Sequence, residues 1–264
     1  NIERLLRVAA AAAQELAYRA PQGLASRIVV IGYDRRFLAK EFAEAIATAV
    51  RGCELEPLLT ETSLPTPACS WAVVNRKALG ALVITASHNP PEWIGLKIKG
   101  SFGGSVDSDF TKAVEERLLA RGHVVPLEGV TKKFDGRMEH LDGLRKKVDS
   151  TALVSGLRKI GLKVIVDPMH GSAAGCLGEL LGEEADGLIE EIRSERDPLF
   201  GGNPPEPLAK YLSELINTVR ETVASGQPAI GLVFDGDGDR LAAIDEFGRF
   251  CSTQSLIPLL IDHL

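Results

Sequence analysis

The chain has 264 residues, which is enough for about two domains that each bury a core. Its 45% hydrophobic and 25% charged residues are typical of a water-soluble globular protein, and no run of about 18 apolar residues is present to span a bilayer. The formal net charge of −6 argues against nucleic acid or anionic membrane as partners, because both select for clustered lysine and arginine. These numbers favour chemistry on a small molecule.

The cysteines are widely spaced and form no CxxC pair: Cys53, Cys69, Cys176 and Cys251. This spacing is typical of free thiols in a reducing compartment, so we expect a cytoplasmic protein. The first residues begin an amphipathic pattern at once, without the charged and apolar segments of a targeting signal. Because the chain starts and stops inside helical patterns, we expect it to be a piece of a longer protein.

Helical segments and β-branched apolar segments alternate along the chain, which predicts an α/β layered fold. In the first part we predict helices near 2–19, 36–50, 67–78 and 107–121, strands near 27–31, 54–59, 81–84 and 96–99, and a loop over 123–137. After a charged helical stretch over 138–158, we predict helices over 172–182 and 208–224, strands near 162–166, 188–192 and 229–234, a hairpin, and a helix from 253. We place a domain boundary near residue 150.

Ser87 is a candidate nucleophile in the segment Thr85-Ala86-Ser87-His88-Asn89-Pro90. The segment follows a predicted buried strand, and α/β proteins build their sites where strands end. A serine hydroxyl is a weak nucleophile that needs a base or a metal, and His88 and Lys97 are the candidates nearby in sequence. A plain Ser/Asn/Pro turn is the alternative, and this segment alone leaves both interpretations open.

The segment Asp235-Gly236-Asp237-Gly238-Asp239-Arg240 is a candidate metal loop. It places carboxylates at alternate positions, and the glycines between them permit tight curvature around a hard cation such as Mg²⁺. An EF-hand is disfavoured, because Arg240 stands where that loop requires glycine and the flanking segments read as strands. An acidic solvated turn is the other alternative, which the mutual repulsion of the carboxylates disfavours.

Three further loops carry weaker signals. Arg36, in Gly32-Tyr33-Asp34-Arg35-Arg36, suits bidentate contact with phosphate, and the alternative is a surface arginine near a helix start. The Gly-rich segment 167–175 is either a phosphate cradle or a structural turn, and it lacks the Gly-Lys-Ser/Thr ending of a P-loop. The segment 201–207 is interpreted as a rigid Pro/Gly loop before a helix.

Taken together, these motifs closely resemble those of the α-D-phosphohexomutase superfamily. The resemblance rests on the Ser87 segment, the acidic loop about 150 residues later, the Arg36 segment, Gly95-Leu96-Lys97 and Leu64-Pro65-Thr66-Pro67. The segments Val166-Asp167-Pro168-Met169-His170-Gly171 and Asn203-Pro204-Pro205-Glu206-Pro207 look more like the phosphoglucomutase/phosphomannomutase branch than the phosphoglucosamine mutase branch.

The resemblance implies two consecutive α/β three-layer domains, each with a mixed sheet between helices. They would span residues 1–150, with the phosphoserine loop, and 151–252, with the metal loop, and 253–264 would be the first helix of a third domain. The resemblance covers essentially the whole chain but only half of the family's four domains. Domains III and IV, which carry the sugar-recognition and phosphate-binding loops, would therefore be partners, and we expect this chain alone to be inactive.

The resemblance also implies a chemistry. Ser87 would carry a phosphoryl group, and its phosphate would hold Mg²⁺ together with Asp235, Asp237 and Asp239. A phosphosugar substrate would pass between hexose 1-phosphate and hexose 6-phosphate, with a hexose 1,6-bisphosphate as activator and intermediate. The remaining candidates are Lys97 as general acid/base, His88 as a supporting proton or phosphate ligand, and Arg36 and Arg240 as electrostatic partners.

Two alternatives come from other functional classes. The chain by itself would be a metal-binding scaffold without catalysis, or the same serine and metal would serve a phosphatase in which water accepts the phosphoryl group. Closure of the cleft by further domains would normally exclude that water.

Overall fold

The computed structural model describes residues 2–120 and 125–263, which form two compact units. The first unit comprises Asn1–Ala86 and Ile94–His140, and the second comprises Ser87–Trp93 and Leu141–Leu264. Each contains a five-stranded mixed sheet with helices against it, which confirms the predicted α/β fold class. The domain limits at 150 and 252 stay a prediction.

The described residues of the first unit form ten α-helices and β-strands, in the order that alternation predicts. They are α1 (Ile2–Tyr18), β1 (Ile28–Tyr33), α2 (Ala39–Gly52), β2 (Glu56–Thr60), α3 (Thr66–Asn75), β3 (Gly80–Ile84), β4 (Leu96–Gly100), α4 (Ser108–Leu119), β5 (Lys132–Phe134) and the start of α5 (Gly136–Arg145). The sheet order is β4-β3-β1-β2-β5, with β4 antiparallel to β3 and the other pairs parallel.

Both faces of this sheet are buried, which explains why its central strands read as continuous apolar runs. Successive strand residues point to opposite faces, so Val29 and Ile31 join a core with α1, α2 and α4, whereas Val30 joins a second core with α3. The sheet therefore lies between two layers of helix.

One strand of the first unit lies within a segment that we predicted to be a loop. β5 pairs in parallel with β2 at the sheet edge, and only Phe134 of its three residues is buried. Two lysines and a single apolar residue give too short a pattern to indicate a strand. Residue 121 of the predicted helix and residues 123–124 of the predicted loop lie outside the described residues.

The second unit begins within α5, and its described residues form nine further α-helices and β-strands and three short 3-10 helices. They are α6 (Ser150–Ile160), β6 (Lys163–Asp167), α7 (Cys176–Leu181), β7 (Ile189–Glu191), α8 (Ser213–Ala224), β8 (Ala229–Phe234), β9 (Leu241–Ile244), β10 (Phe250–Cys251) and α9 (Thr253–His263). The sheet order is β10-β9-β8-β6-β7, in which β6 is parallel to β7 and β8, and β9 and β10 continue antiparallel.

Two helix predictions in this region are corrected. The single stretch over 138–158 is two helices, because Asp149 caps the start of α6 by accepting a hydrogen bond from the backbone N–H of Ala152 at 2.9 Å. The helix predicted over 172–182 begins only at Cys176. Gly175, the residue directly before the helix, has φ of 80°, a left-handed conformation that a continuous right-handed helix over 172–182 could not contain.

Within the described residues, no helix combines the length and the apolar character that a membrane crossing requires. The last helix, α9, buries none of its described side chains, and Leu259 and Ile261 are 68% and 70% exposed.

A buried carboxylate ties α1 to α4 in the first unit. Glu15 is 2% exposed and accepts hydrogen bonds from Nε of Arg19 at 2.6 Å and from Nε of Arg117 at 2.7 Å. Burial by itself raises the pKa of Glu15, but the bonds and charges of Arg117 and Arg19 outweigh it, so the pKa lies below its ordinary value.

We expect Glu15→Gln to lower the free energy of unfolding by about 2 kcal/mol, because the arginines lose their shared buried anion. A depressed carboxyl pKa stabilises the fold above the ordinary glutamate value of about 4.3 and loses that effect as pH falls through the folded-state pKa. Urea denaturation should therefore show that the difference in free energy of unfolding between Glu15→Gln and wild type becomes smaller below about pH 4.

The control is Asp109→Asn, whose exposed pair with Lys112 should contribute about 0.5 kcal/mol or less. Equal urea midpoints for Glu15→Gln and wild type at neutral pH would contradict a stabilising role of the Glu15 carboxylate.

Candidate functional site

The acidic loop lies at the carboxyl end of β8, beside the turn that follows β6. Because β6 and β8 are parallel neighbours, the loops after them emerge at the same sheet edge. The backbone N–H of Ser172 donates to the carbonyl oxygen of Gly236 at 3.0 Å. A Cβ on Gly171 would lie 2.7 Å from that same oxygen, so the turn after β6 supports the acidic loop by close backbone contact.

The three aspartates of the loop converge. Asp235 and Asp237 are fully buried and Asp239 is exposed, and each offers a carboxylate oxygen within 4.8 Å of the others. Oδ1 of Asp235 also accepts hydrogen bonds from the backbone N–H groups of Asp239 at 3.0 Å and Arg240 at 3.1 Å. These bonds curl the chain around the Asp235 carboxylate.

The electrostatics of this cluster favour a bound cation. Burial, together with the neighbouring charges of Asp237 and Asp239, raises the pKa of Asp235 to about 7, although hydrogen bonds from Ser87 and Arg240 lower it. A hard divalent cation would neutralise this repulsion, and carboxylate oxygens are the ligands that Mg²⁺ takes in proteins. In the described part of the chain, this is the one group of three acidic, histidine or cysteine side chains placed to hold a metal. The donor set therefore fits Mg²⁺.

Ser87 lies directly against the acidic loop. Its Oγ donates to Oδ2 of Asp235 at 2.9 Å, although the two residues are 148 positions apart in sequence. Ser87 is 7% exposed and has φ of 53°, a left-handed conformation that costs a non-glycine residue about 1 kcal/mol. The structure thus brings the predicted nucleophile and the predicted metal loop together.

Close backbone contacts hold the acidic loop against the loop that carries Ser87. A Cβ on Gly236 would lie 2.7 Å from the carbonyl oxygen of Ser87 and 2.8 Å from Cγ of Pro205. The N–H of Gly236 donates to the carbonyl oxygen of Pro205 at 3.2 Å. The acidic loop is thus wedged between the serine loop and the Asn203–Pro207 loop, and only glycine fits at residue 236.

His88 lies beside the same loops. Its Nε2 is 3.9 Å from Oε1 of Glu206, and its Nδ1 is buried without a hydrogen-bond partner among the described residues. The side chains of His88 and Glu206 are 30% and 28% exposed. Arg240 also belongs to this unit, and its side chain is exposed next to Asp239.

Arg36 and Lys97 lie in the first unit. Arg36 follows β1 and is 1% exposed, with its Nε donating to Oδ2 of Asp34 at 3.1 Å, so it is not a surface arginine. Lys97 lies in β4 opposite Val83 and is half-buried. Arg36 therefore lies after the end of β1, and Lys97 lies within β4 of the same sheet.

The Gly-rich turn after β6 is held by hydrogen bonds to carboxylates of the same unit. The buried carboxylate of Asp167 receives two hydrogen bonds from the guanidinium of Arg193 and one from the N–H of Met169 at 2.9 Å. The N–H of Gly175 already donates to the carboxylate of Glu191 at 2.8 Å. These contacts favour the structural-turn interpretation over a phosphate cradle.

Sequence reasoning missed the contribution of the Asn203–Pro207 loop to this site. Pro205 contacts Gly236, and Glu206 contacts His88. The available signal was an acidic residue held between prolines in a loop that we read only as a rigid connection.

Two stretches of the chain match domains of a known family. Residues 1–123 match the family described as phosphoglucomutase/phosphomannomutase, alpha/beta/alpha domain I, and residues 138–248 match alpha/beta/alpha domain II of the same family. Domain I ends before the β5 strand, and domain II takes in the acidic loop.

Individual relatives are similar over about half their length. A protein of Methanothermobacter thermautotrophicus, assigned as a phosphoglucosamine mutase, is 32% identical over 88% of this chain and 49% of its own length. A phosphoglucomutase/phosphomannomutase of Thermococcus kodakarensis is 29% identical over 91% of this chain and 51% of its own. A crystal structure from Thermus thermophilus, assigned as a phosphomannomutase, superposes with a TM-score of 0.82 at 32% identity, covering 95% of this chain and 54% of that one.

The chain thus spans about half the length of the curated relatives that it matches. With both family domains matched in order and the serine and aspartate loops in contact, the chain belongs to the phosphoglucomutase/phosphomannomutase family of the α-D-phosphohexomutase superfamily.

Proposed function

We propose that the protein to which this chain belongs is a Mg²⁺-dependent phosphosugar mutase that exchanges hexose 1-phosphate and hexose 6-phosphate through a phosphoserine at Ser87. The observation that carries the proposal is the 2.9 Å hydrogen bond from Ser87 Oγ to Asp235, within the three-aspartate cluster. A serine against a cation-binding cluster has the two parts that phosphoryl transfer requires, an acceptor oxygen and charge neutralisation.

Ser87 supplies the oxygen that gives and takes the phosphoryl group. In the forward step a sugar hydroxyl oxygen bonds to phosphorus as the Ser87 Oγ–P bond breaks, giving a hexose 1,6-bisphosphate. The hydroxyl proton passes to a general base, and Oγ of Ser87 takes up a proton. In the return step Ser87 loses that proton and accepts the other phosphoryl group of the bisphosphate.

Asp235, Asp237 and Asp239 would hold Mg²⁺ together with a phosphate oxygen on Ser87. The bound cation supplies charge neutralisation for the transferring group. Asp235 has a second part in the free serine form, where it accepts the hydroxyl hydrogen of Ser87 and fixes the position of Oγ.

The remaining candidates divide between proton transfer and charge. We assign Lys97 as general acid/base, His88 as a supporting proton or phosphate ligand, and Arg36 and Arg240 as electrostatic partners of the phosphosugar. The buried Asp34 pairs with Nε of Arg36 and fixes the orientation of its guanidinium.

Substrate selection would require domains III and IV, which the longer relatives have room to contain. This chain alone would then bind metal without turning over sugar phosphate. The preference for glucose or mannose phosphates over glucosamine phosphates stays a prediction, because the matched relatives include both branches. The cytoplasmic location also stays a prediction.

Replacing the nucleophile tests the proposal directly. We expect Ser87→Ala in the full-length enzyme to abolish mutase turnover and to remove the phosphoryl group seen by intact mass before phosphatase treatment. The matched control is Ser255→Ala on the exposed helix α9, which should keep both. Normal mutase turnover by Ser87→Ala would contradict the phosphoserine mechanism. Robust turnover by the 264-residue chain alone would show that domains III and IV are not required.

A methyl group at residue 236 should separate the two halves of the site. We expect Gly236→Ala to slow phosphorylation of Ser87 by hexose 1,6-bisphosphate about a hundredfold, because a displacement near 1 Å misaligns the reacting groups. Quantitative mass spectrometry of the full-length enzyme would measure the rate.

The control is Gly156→Ala in α6, where a Cβ would meet nothing within 4 Å. Its phosphorylation rate should equal that of wild type. If Gly236→Ala kept the wild-type rate, close contact between the serine loop and the acidic loop would not matter for transfer.

A further inference from the structure

The Asn203–Pro207 loop contacts both halves of the site through adjacent residues. Pro205 receives the N–H of Gly236 on its carbonyl oxygen at 3.2 Å, and its ring would meet any side chain at residue 236. The next residue, Glu206, brings Oε1 to 3.9 Å from Nε2 of His88. Proline on each side of Glu206 restricts the backbone that carries this carboxylate.

The other ring nitrogen of His88 lies in a different environment. Nδ1 is buried and has no hydrogen-bond partner among the described residues, whereas Nε2 faces a carboxylate. A buried ring nitrogen without a partner is costly unless a further group, such as a phosphate oxygen, bonds to it. Nε2 thus lies within ion-pair distance of a carboxylate, and Nδ1 is left for a bound group.

From this geometry we propose that Glu206 is a positioning residue, which acts through His88 and orients its ring for the phosphoryl group on Ser87. This deepens the mutase proposal and rests on it. Glu206 touches neither the serine nor the aspartates in the contacts described, so its effect on transfer passes through His88. The loop that carries Glu206 also contacts the acidic loop through Pro205 and Gly236. The orientation of the His88 ring is thereby coupled to the loop of the three aspartates.

The alternative is that Glu206 only stabilises the loop. A structural role would lower the melting temperature and slow transfer whether or not His88 is present. A positioning role predicts that the effect of Glu206→Gln disappears once His88 is removed, because residues that act through one another are not additive.

The first measurement needs no activity. NMR spectra of the His88 ring are recorded at one fixed pH in wild type and in each variant. In Glu206→Gln we expect the His88 ring resonances to move toward those of free histidine. The control Glu214→Gln, which alters a carboxylate 4.0 Å from Arg193 in the same unit, should leave them in place.

The second measurement follows phosphorylation of Ser87 by glucose 1,6-bisphosphate with Mg²⁺ in the full-length enzyme. We expect Glu206→Gln to slow it about tenfold, as loss of a supporting residue typically does, with the melting temperature unchanged. His88→Ala should slow it at least as much, and the double variant should match His88→Ala.

These results separate the two proposals. An unphosphorylated wild type would overturn the mutase proposal, and the ring spectra would still decide whether Glu206 positions His88. Unchanged His88 resonances in Glu206→Gln, or an equal loss of rate from Glu206→Gln in the His88→Ala background, would overturn the positioning role.

Discussion

Repulsion among the carboxylates of Asp235, Asp237 and Asp239 is the physical constraint around which the site is arranged. Two of the three are fully buried, so water cannot screen them well, and the pKa of Asp235 rises to about 7. Hydrogen bonds from the backbone and from Ser87 offset part of this cost. A divalent cation would offset far more, and the same cation would neutralise a phosphate on Ser87.

The two sheets share a strand arrangement that places a candidate site loop at the end of a parallel strand. Their orders, β4-β3-β1-β2 and β9-β8-β6-β7, each place one antiparallel strand next to a parallel strand whose carboxyl end leads into a functional loop. Ser87 follows β3, and Asp235 follows β8. The likeness between the halves lies in strand order and not in repeated sequence, so it follows from how α/β layers place loops at strand ends.

Much of the fold, and the meeting of the serine and acidic loops' candidate residues, follows motifs that are visible in local sequence. Apolar runs bounded by glycine and proline located the central strands, and the alternate carboxylates of the acidic loop predicted the convergence that the structure has. Short-range patterns could not indicate β5, where Phe134 alone is buried, or the late start of α7 after the left-handed Gly175. The contact between Glu206 and His88 depends on tertiary packing, which propensities do not encode.

The central claim is that Ser87 and the three aspartates share one cation. The most direct test is the ³¹P NMR spectrum of the enzyme phosphorylated at Ser87, recorded with Mn²⁺ in place of Mg²⁺, since a paramagnetic ion broadens only the resonances of nuclei close to it. We predict that the phosphoserine signal broadens beyond detection, and that Asp237→Asn restores it at the same Mn²⁺ concentration. A phosphoserine signal that stays sharp in the wild-type enzyme saturated with Mn²⁺ would contradict a shared cation site.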